Sequence, residues 1–346
     1  MWNLIRKIER RKWLPRQKYG RWGVTGVFAV LALALILAVG WVIDRKGASA
    51  ADRRLAAAAR AAGEEPADAI VRALRARRIV FLSDIANSTA TKQLAARAIA
   101  KLGETAGLDA VVLEIGADLQ PFIEQYLDSN PENASLLMRD PRMLGGGSAS
   151  RAYLELYRTV WRVNRRLGPD QRIRVVAADL PDWPPPAPAP GEIARLMSER
   201  VQHMEDTIER EILGTFPDAR ILVFVSGLQT LKSGSIAFQT GGSDPVEVTP
   251  LAARIGQDTE EVFSFLVDAP YSVVNARQVA PYVGTRVASV LREAGVPAGV
   301  VMAATENFGH VRQPIVEKNT PGMEYTIMPR DYRLNAVTDA YIYLGS

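Results

Sequence analysis

The sequence predicts an α/β domain with a single, largely parallel sheet covered by helices on both faces, preceded by one N-terminal transmembrane helix. Strand-like apolar runs alternate with helical patterns from residue 78 to the end of the chain. Several of these runs are continuously apolar, which is typical of strands that helices bury on both faces. Such an alternation of strands and helices favours a parallel sheet.

Residues 23–43 form the predicted membrane anchor, since they contain no charged side chain. At about 1.5 Å per residue, a helix of this length spans the roughly 30 Å hydrocarbon core of a bilayer. Trp22 and Trp41 lie near its two ends, as interfacial aromatic residues do. The competing interpretation is a signal peptide cleaved after Ala50. However, the apolar stretch is longer than a usual signal core, and charged residues 44–46 precede the cleavage motif.

The distribution of charge predicts the orientation of this anchor. Residues 1–22 form a basic tail with eight Lys/Arg against one acid, which places the N-terminus in the cytoplasm and the C-terminal domain in the periplasm of a bacterial inner membrane. The tail is expected to contact anionic lipid. Residues 1–46 hold ten basic and two acidic side chains in a chain of net charge +4, so the remainder is net −4. That balance argues against nucleic-acid binding by the folded domain.

The exported part begins with residues 44–77, an Ala/Arg-rich helical stalk followed by a first helix that starts near Pro66. Residues 78–346 are the predicted periplasmic α/β domain. Within it, residues 182–191 predict a Pro-rich extended connector, and residues 140–150 predict a flexible glycine-rich loop. The predicted strands are Ile79–Leu82, Ala110–Leu113, Ile173–Ala177, Ile221–Val225, Val300–Ala303 and Ala340–Leu344. The predicted helices between them are Thr91–Gly103, Pro121–Asp128, Ala152–Arg166 and Glu192–Leu213.

Composition excludes several kinds of site. The chain has no cysteine, so disulfides, thiolate nucleophiles and Cys-ligated zinc are excluded. Its two histidines, His203 and His310, exclude a three-histidine metal site. His203 lies in a helical stretch crowded with charge and is expected to be solvated. His310 lies in a loop flanked by glycine and is a candidate ligand contact.

Three acids follow predicted strands, namely Asp84, Glu114 and Asp179. If these strands are parallel neighbours, the three carboxylates converge on one edge of the sheet. Clustered carboxylates serve as general acid and base or hold a hard cation. The alternative is that each one caps a helix or bonds a loop amide.

Several stretches together resemble the erythromycin esterase-like family, which shares a superfamily with haem-uptake lipoproteins and TIKI/TraB-type proteases. RIVFLSDIANSTATKQLAARAIAKL and AVVLEIGADLQPFIEQYL resemble the family's opening strands and helices. YLELYRTVWRVNRRLGPDQRIRVVAADLP and ILVFVSGLQTLK follow in the family's order, and AVTDAYIYL resembles its closing strand. The resemblance implies an erythromycin esterase-like fold, in which His and Glu side chains activate water or bind metal.

The chain departs from the family at its functional positions. Ser83-Asp84 stand in place of Gly-Glu, and Ala86-Asn87 stand where a His is expected. Ser226 and Gln229 replace a later pair of histidines, whereas Glu114 matches the family's functional acid. Serine, asparagine and glutamine cannot accept a proton near neutral pH as imidazole can. The resemblance therefore implies an active site without its histidine bases.

Two hypotheses follow. The first is an inner-membrane-anchored periplasmic pseudoenzyme that acts as a binding or scaffold module for an envelope protein or a polysaccharide, without metal or cofactor. Its candidate substrate-binding residues are Ser226, Gln229 and His310. The second is a divergent hydrolase that uses Asp84, Glu114 and Asp179 as catalytic residues, together with a divalent cation.

Overall fold

The computed structural model describes residues 52–105, 107–144, 147–183, 192–239, 245–257, 259–270, 286–304, 310–313, 316–320, 323–327 and 330–345. Arg53–Ser346 form one compact unit. The predicted tail and anchor, residues 1–43, and most of the Pro-rich connector lie outside the described residues. Within the described ranges, no helix combines the length and the apolar character needed to cross a membrane.

Helices and strands alternate through most of this unit, after a helical segment at residues 53–61. The helices are α1 (Pro66–Ala76), α2 (Thr89–Gly103), α3 (Gln120–Asp128), α4 (Pro141–Leu144), α5 (Ser148–Asn164), α6 (Glu192–Asp206), α7 (Leu251–Ile255), α8 (Arg286–Glu293) and α9 (Leu334–Val337). The strands are β1 (Ile79–Asp84), β2 (Ala110–Gly116), β3 (Arg174–Asp179), β4 (Ile221–Ser226), β5 (Ile236–Gln239), β6 (Val246–Val248), β7 (Val262–Asp268), β8 (Val300–Ala303), β9 (His310–Gln313), β10 (Val316–Thr320), β11 (Met323–Ile327), β12 (Arg330–Arg333) and β13 (Ala340–Tyr343). A π-helical stretch, Thr207–Leu213, continues α6.

The main sheet has seven strands in the order β3-β2-β4-β1-β7-β13-β8. All neighbouring pairs are parallel except β13 and β8, so the prediction of a largely parallel sheet is confirmed. The prediction of a single sheet is wrong. Antiparallel strands form two further sheets, β10-β11-β5-β6 and β12-β9. Their strands are three to five residues long and rich in polar residues, so they lack the apolar run that marks a buried strand.

Helices cover both faces of the main sheet, as predicted. Successive residues of β1 point to opposite faces, so Val80 and Leu82 join one apolar cluster while Ile79 and Phe81 join another. Helices α1, α2 and α5 contribute to the first cluster, and α6, α7 and α8 contribute to the second. The helical segment 53–61, expected to lie in a stalk, buries Leu55, Ala56 and Ala59 in the second cluster.

Two elements differ from the sequence prediction. The central strand β7 was not predicted, because Ser264 interrupts its apolar run; the buried Ser264 hydroxyl donates to the Thr230 carbonyl. The predicted flexible loop, residues 140–150, instead contains α4 and the start of α5. The Asp140 carboxylate accepts the Arg142 backbone N–H at 2.9 Å, which orders the first turn of α4.

Candidate functional site

The carboxyl ends of four adjacent strands form the candidate site. Asp179 ends β3, Ser226 ends β4 and Asp84 ends β1, while Glu114 lies at an irregularity near the end of β2. The three predicted carboxylates therefore lie at one edge of the sheet. However, β4 separates β2 from β1, so Ser226 stands between Glu114 and Asp84.

Arg200 on α6 joins two of these carboxylates. Its Nε lies 2.8 Å from Asp179 Oδ1, its Nη2 lies 2.8 Å from Glu114 Oε1, and Nη2 also pairs with Asp179 Oδ2. Two backbone N–H groups also donate to these carboxylates. The Leu180 N–H donates to Asp179 Oδ1 at 2.8 Å, and the Ser226 N–H donates to Glu114 Oε2 at 2.6 Å. The Asp179 side chain is fully buried. Each carboxylate oxygen of this pair thus has a donor.

Lys92 on α2 neutralises the third carboxylate. Its Nζ lies 2.6 Å from Asp84 Oδ1, and it also donates to the backbone carbonyls of residues 85–86. Three acceptors satisfy the three ammonium hydrogens, and the side chain has no exposed surface. Asp84 also accepts from the Thr91 hydroxyl at 2.9 Å and from the Tyr153 hydroxyl. Lys92 therefore holds Asp84 and the loop after β1 in one arrangement.

The environment shifts the ionisation of two members of this second cluster. Burial lowers the pKa of Lys92, and the charge of Asp84 opposes that effect. Burial, and then the charge of Asp84, raises the pKa of the Tyr153 hydroxyl well above its ordinary value. Tyr153 is therefore a protonated donor to the Asp84 carboxylate at neutral pH.

Aromatic rings pack against both cations. The Tyr153 ring centroid lies 4.6 Å from Lys92 Nζ, and the Trp183 ring centroid lies 4.0 Å from Arg200 Cζ. These are cation–π distances, and the rings restrict access of solvent to the charges. Trp183 follows Asp182, which has a φ of 56° and donates its N–H to Asp118 Oδ1 at 2.9 Å.

The other predicted site residues do not join this cluster. Gln229 is buried and its Oε1 accepts the Leu251 N–H at 3.0 Å, so it stabilises the start of α7. The backbone of His310 pairs with Arg333 in the two-stranded sheet. His203 is not solvated as expected, because it is half-buried and its Nδ1 lies 3.0 Å from the Ala178 carbonyl.

The residues that sequence reasoning missed are the two cations, Lys92 and Arg200. Each occupies the apolar stripe of a helix, Lys92 one turn before Ala96 and Arg200 between Met197 and Met204. A charged residue inside such a stripe was the available signal, since burial of a charge requires a partner. Across the described ranges, no group of three or more His, Asp or Glu side chains is arranged to hold a metal ion.

A separate cavity of about 480 Å³ runs along the outer edge of β3. Helix α3 lines one side, and α6 with its π-helical continuation lines the other. His203 lies in this lining. With Nδ1 taken by the Ala178 carbonyl, Nε2 is the ring nitrogen left for other partners.

Comparison with known proteins identifies solved structures of the same fold. No family model and no curated protein matches the chain. A mutant of the erythromycin esterase EreC, in its open conformation, is 13% identical over 80% of this chain and 93% of its own, with a TM-score of 0.52. A Bacillus cereus protein is 10% identical over 86% of this chain and 97% of its own, with a TM-score of 0.60. A succinoglycan biosynthesis protein is 7% identical over 85% of this chain and 97% of its own, with a TM-score of 0.55. The chain therefore has the erythromycin esterase-like fold that the resemblance predicted.

Proposed function

We propose that this protein is a non-catalytic binding or scaffold module of the bacterial envelope, held on the periplasmic side of the inner membrane by residues 23–43. The domain keeps the erythromycin esterase-like fold, while its active-site position carries no available base. The basic tail contacts anionic lipid, and the domain engages an envelope protein or a polysaccharide without metal or cofactor.

The observation that carries this proposal is the pairing of the three predicted carboxylates with cations. Asp179 and Glu114 share Arg200, and Asp84 is bound by Lys92. A general base needs a carboxylate oxygen that is available to water or substrate, whereas the oxygens of Asp179 and Glu114 all accept from Arg200 or a backbone N–H. These side chains are therefore suited to holding the sheet edge together.

The divergent-hydrolase alternative needs the same carboxylates to hold a divalent cation. Arg200 already occupies the position between Glu114 and Asp179, with its guanidinium nitrogens at bonding distance from both. A cation could enter only by displacing a guanidinium that makes charge-assisted bonds to two carboxylates. This arrangement supports the binding module over the metal-dependent hydrolase.

Ser226 is the proposed ligand contact at this edge. Its backbone N–H is bound by Glu114, and its side chain is partly exposed between the two ion-paired clusters. Among the described residues its hydroxyl has no hydrogen-bond partner, so the group is free to donate or accept.

Hydrolysis assays with the purified full chain test the proposal. We expect no cleavage of macrolide lactones or of simple carboxylic esters above background, in wild type or in Glu114→Gln, because losing a general base costs about 10²–10⁴-fold in rate. Ester turnover that Glu114→Gln abolishes would establish the hydrolase instead.

A thermal-shift series gives a second readout. With Mg²⁺, Ca²⁺, Mn²⁺ or Zn²⁺ added, the melting temperature of the wild type should stay unchanged, since a ligand stabilises only the state that binds it. Stabilisation of the wild type that Asp84→Asn and Glu114→Gln both remove would favour the cation-dependent hydrolase.

A further inference from the structure

The outer edge of β3 is bordered by a groove where an eighth strand would lie. β3 ends the seven-stranded order, and α3 and the α6 continuation rise on the two sides of the cavity that follows it. Arg174 donates its N–H to Asp109 on the β2 side, so Val175 and Ala177 direct their backbone groups outward. The groove floor is therefore a row of strand hydrogen-bonding groups, which belong to residues with almost no exposed surface while the neighbouring side chains cover them.

Two side-chain carboxamides occupy part of this row. Gln120 Nε2 donates to the Val175 carbonyl at 3.1 Å, and Gln120 Oε1 accepts the Ala177 N–H at 2.8 Å. These are the bonds that one residue of a parallel neighbouring strand would make. Asn164 exchanges both bonds with Ile173, each at 2.8 Å, as a residue of an antiparallel neighbour would. The Val175 N–H and the Ala177 carbonyl have no partner among the described residues.

The charged side chains that line the groove have more acids than bases. Arg172 lies 3.9 Å from Asp128, and Arg174 stacks on Phe216. Glu124 and Glu211 stand on opposite walls, and neither has an ion-pair partner among the described residues. Glu124 Oε1 accepts a hydrogen bond from Gln120 Nε2 at 2.9 Å. Three acids and two arginines line the groove, an excess of one negative charge. The groove thus combines a strand edge with this acidic excess, and both features suit an extended peptide that carries a basic side chain.

We infer that the β3 edge is a docking site for an extended, lysine- or arginine-containing peptide segment of a partner protein, which adds a strand to the sheet after displacing the Gln120 carboxamide. This inference rests on the proposed function, for which it names the surface and the partner class. The exchange is favourable because a peptide makes the backbone bonds that Gln120 makes and reaches the unpaired Val175 N–H as well.

Fluorescence anisotropy on the full chain in detergent micelles tests the docking site. The probe is a labelled, acetylated and amidated peptide, Thr-Val-Lys-Val-Thr-Val-Thr. We expect saturable binding, which is lost when alternate backbone nitrogens of the peptide are methylated and weakened when glutamate replaces lysine. An N-methylated peptide that binds as well as its parent, or the absence of saturable binding, would overturn the inference.

Variants of the chain should change the affinity for the peptide in opposite directions. Gln120→Ala removes the competing carboxamide and should raise the affinity for the peptide about threefold or more. The free energy of a threefold change is smaller than the net contribution of one typical hydrogen bond. Glu124→Gln combined with Glu211→Gln should lower the affinity by up to about fivefold, as expected for one exposed charge pair with the single lysine of the peptide. Glu104→Gln, an exposed acid outside the groove, is the matched control and should leave it unchanged. An unchanged or lower affinity in Gln120→Ala contradicts the displacement of its carboxamide.

Hydrogen exchange locates the binding. The peptide should slow exchange at the backbone amides of residues 175–177, and protection elsewhere would place it on another surface. Protection of the same amides by dextran and not by the peptide would assign the groove to a polysaccharide. A chain that binds no peptide and hydrolyses no ester would overturn the docking site alone, since the hydrolysis assays test the proposed function separately.

Discussion

Arg200 balances the charge of one half of the sheet edge, because a single guanidinium bonds both Asp179 and Glu114. Its side chain is largely buried, and the Asp179 side chain is fully buried. A buried charge without its partner keeps the full cost of desolvation. The arrangement is therefore stable only as a complete set.

Replacing Arg200 with methionine should lower the free energy of unfolding by about 3–5 kcal/mol, because it leaves the buried Asp179 carboxylate without a counter-charge. Urea denaturation of the purified chain measures this change. Arg195→Met is the matched control on the same helix, since Arg195 pairs with Glu192 and Glu199 on the exposed surface, where ion pairs contribute little to stability. Equal losses in the two variants would contradict the buried role of Arg200.

The lowered pKa of Lys92 predicts a pH dependence of stability. Burial moves this pKa below its usual value of 10.5. Between the lowered pKa and 10.5, the unfolded chain binds more protons than the folded chain, so the Lys92 contribution to stability rises as pH rises through this window.

We expect the stability difference between wild type and Lys92→Met to shift in favour of the wild type as the pH increases from 7 to 10. Urea titrations at four pH values measure the difference. The Tyr153 hydroxyl does not titrate in this range, because its pKa is raised above the usual 10. Parallel curves for the two proteins would show that burial does not lower the pKa of Lys92.

At the residue scale, the sequence predicts the three acids of the site but not the two cations that pair with them. Asp84, Glu114 and Asp179 follow apolar runs, so the rule for parallel strands brings them to one edge. Their partners depend on how helices pack, since Arg200 reaches Asp179 across 21 positions of sequence and Glu114 across 86. Sequence spacing alone cannot predict such ion pairs, although a charged residue inside the apolar stripe of a helix indicates that a partner exists.

At the scale of elements, the edge strand β3 shows how side chains replace a missing neighbour. Exposed strand edges promote association with other chains, and side chains that cover them oppose it. Asn164 is buried at the end of α5 and satisfies both backbone groups of Ile173.

Asn164→Ala should therefore lower the free energy of unfolding by about 1–3 kcal/mol, because it leaves the Ile173 N–H and carbonyl without partners. Asn133→Ala is the control, since Asn133 lies exposed in a loop and, among the described residues, its side chain bonds only the exposed Ser135 hydroxyl. Chemical denaturation measures both variants. A loss in Asn164→Ala no larger than in the control would mean that water satisfies Ile173.

The elements that sequence predicted well share one physical property. β1, β2, β4 and β8 are short apolar runs, so burial on both faces is visible in their composition. β7 is equally central, yet its buried Ser264 interrupts the apolar run that would have predicted a strand. The Ser264 hydroxyl donates to the Thr230 carbonyl, which is distant in sequence, so this hydrogen bond cannot be read from the pattern. Short antiparallel strands such as β6, with two exposed residues of three, carry no comparable signal.

At the scale of the whole molecule, the fold is shared with solved structures whose sequences differ greatly from this one. Solved structures with TM-scores of 0.52 to 0.60 share only 7 to 13% identity with this chain. Apolar strands covered by helices tolerate extensive replacement when volume and pattern are kept. Ion pairs such as Lys92–Asp84 preserve the sheet edge without the histidines expected there.

The division of charge along the chain predicts its topology. Residues 1–22 hold eight basic side chains against one acid, and residues 23–43 are uncharged. We expect a reporter enzyme that works only in the periplasm to be active when fused after Ser346, and the mature chain to keep its original N-terminus. Replacing the basic residues of the tail with glutamine should reduce the reporter's activity, because positive charge retains the tail in the cytoplasm. N-terminal sequencing decides between anchor and signal peptide, since a mature chain that begins at Ala51 would mean that residues 23–43 are removed and that the domain is released from the membrane.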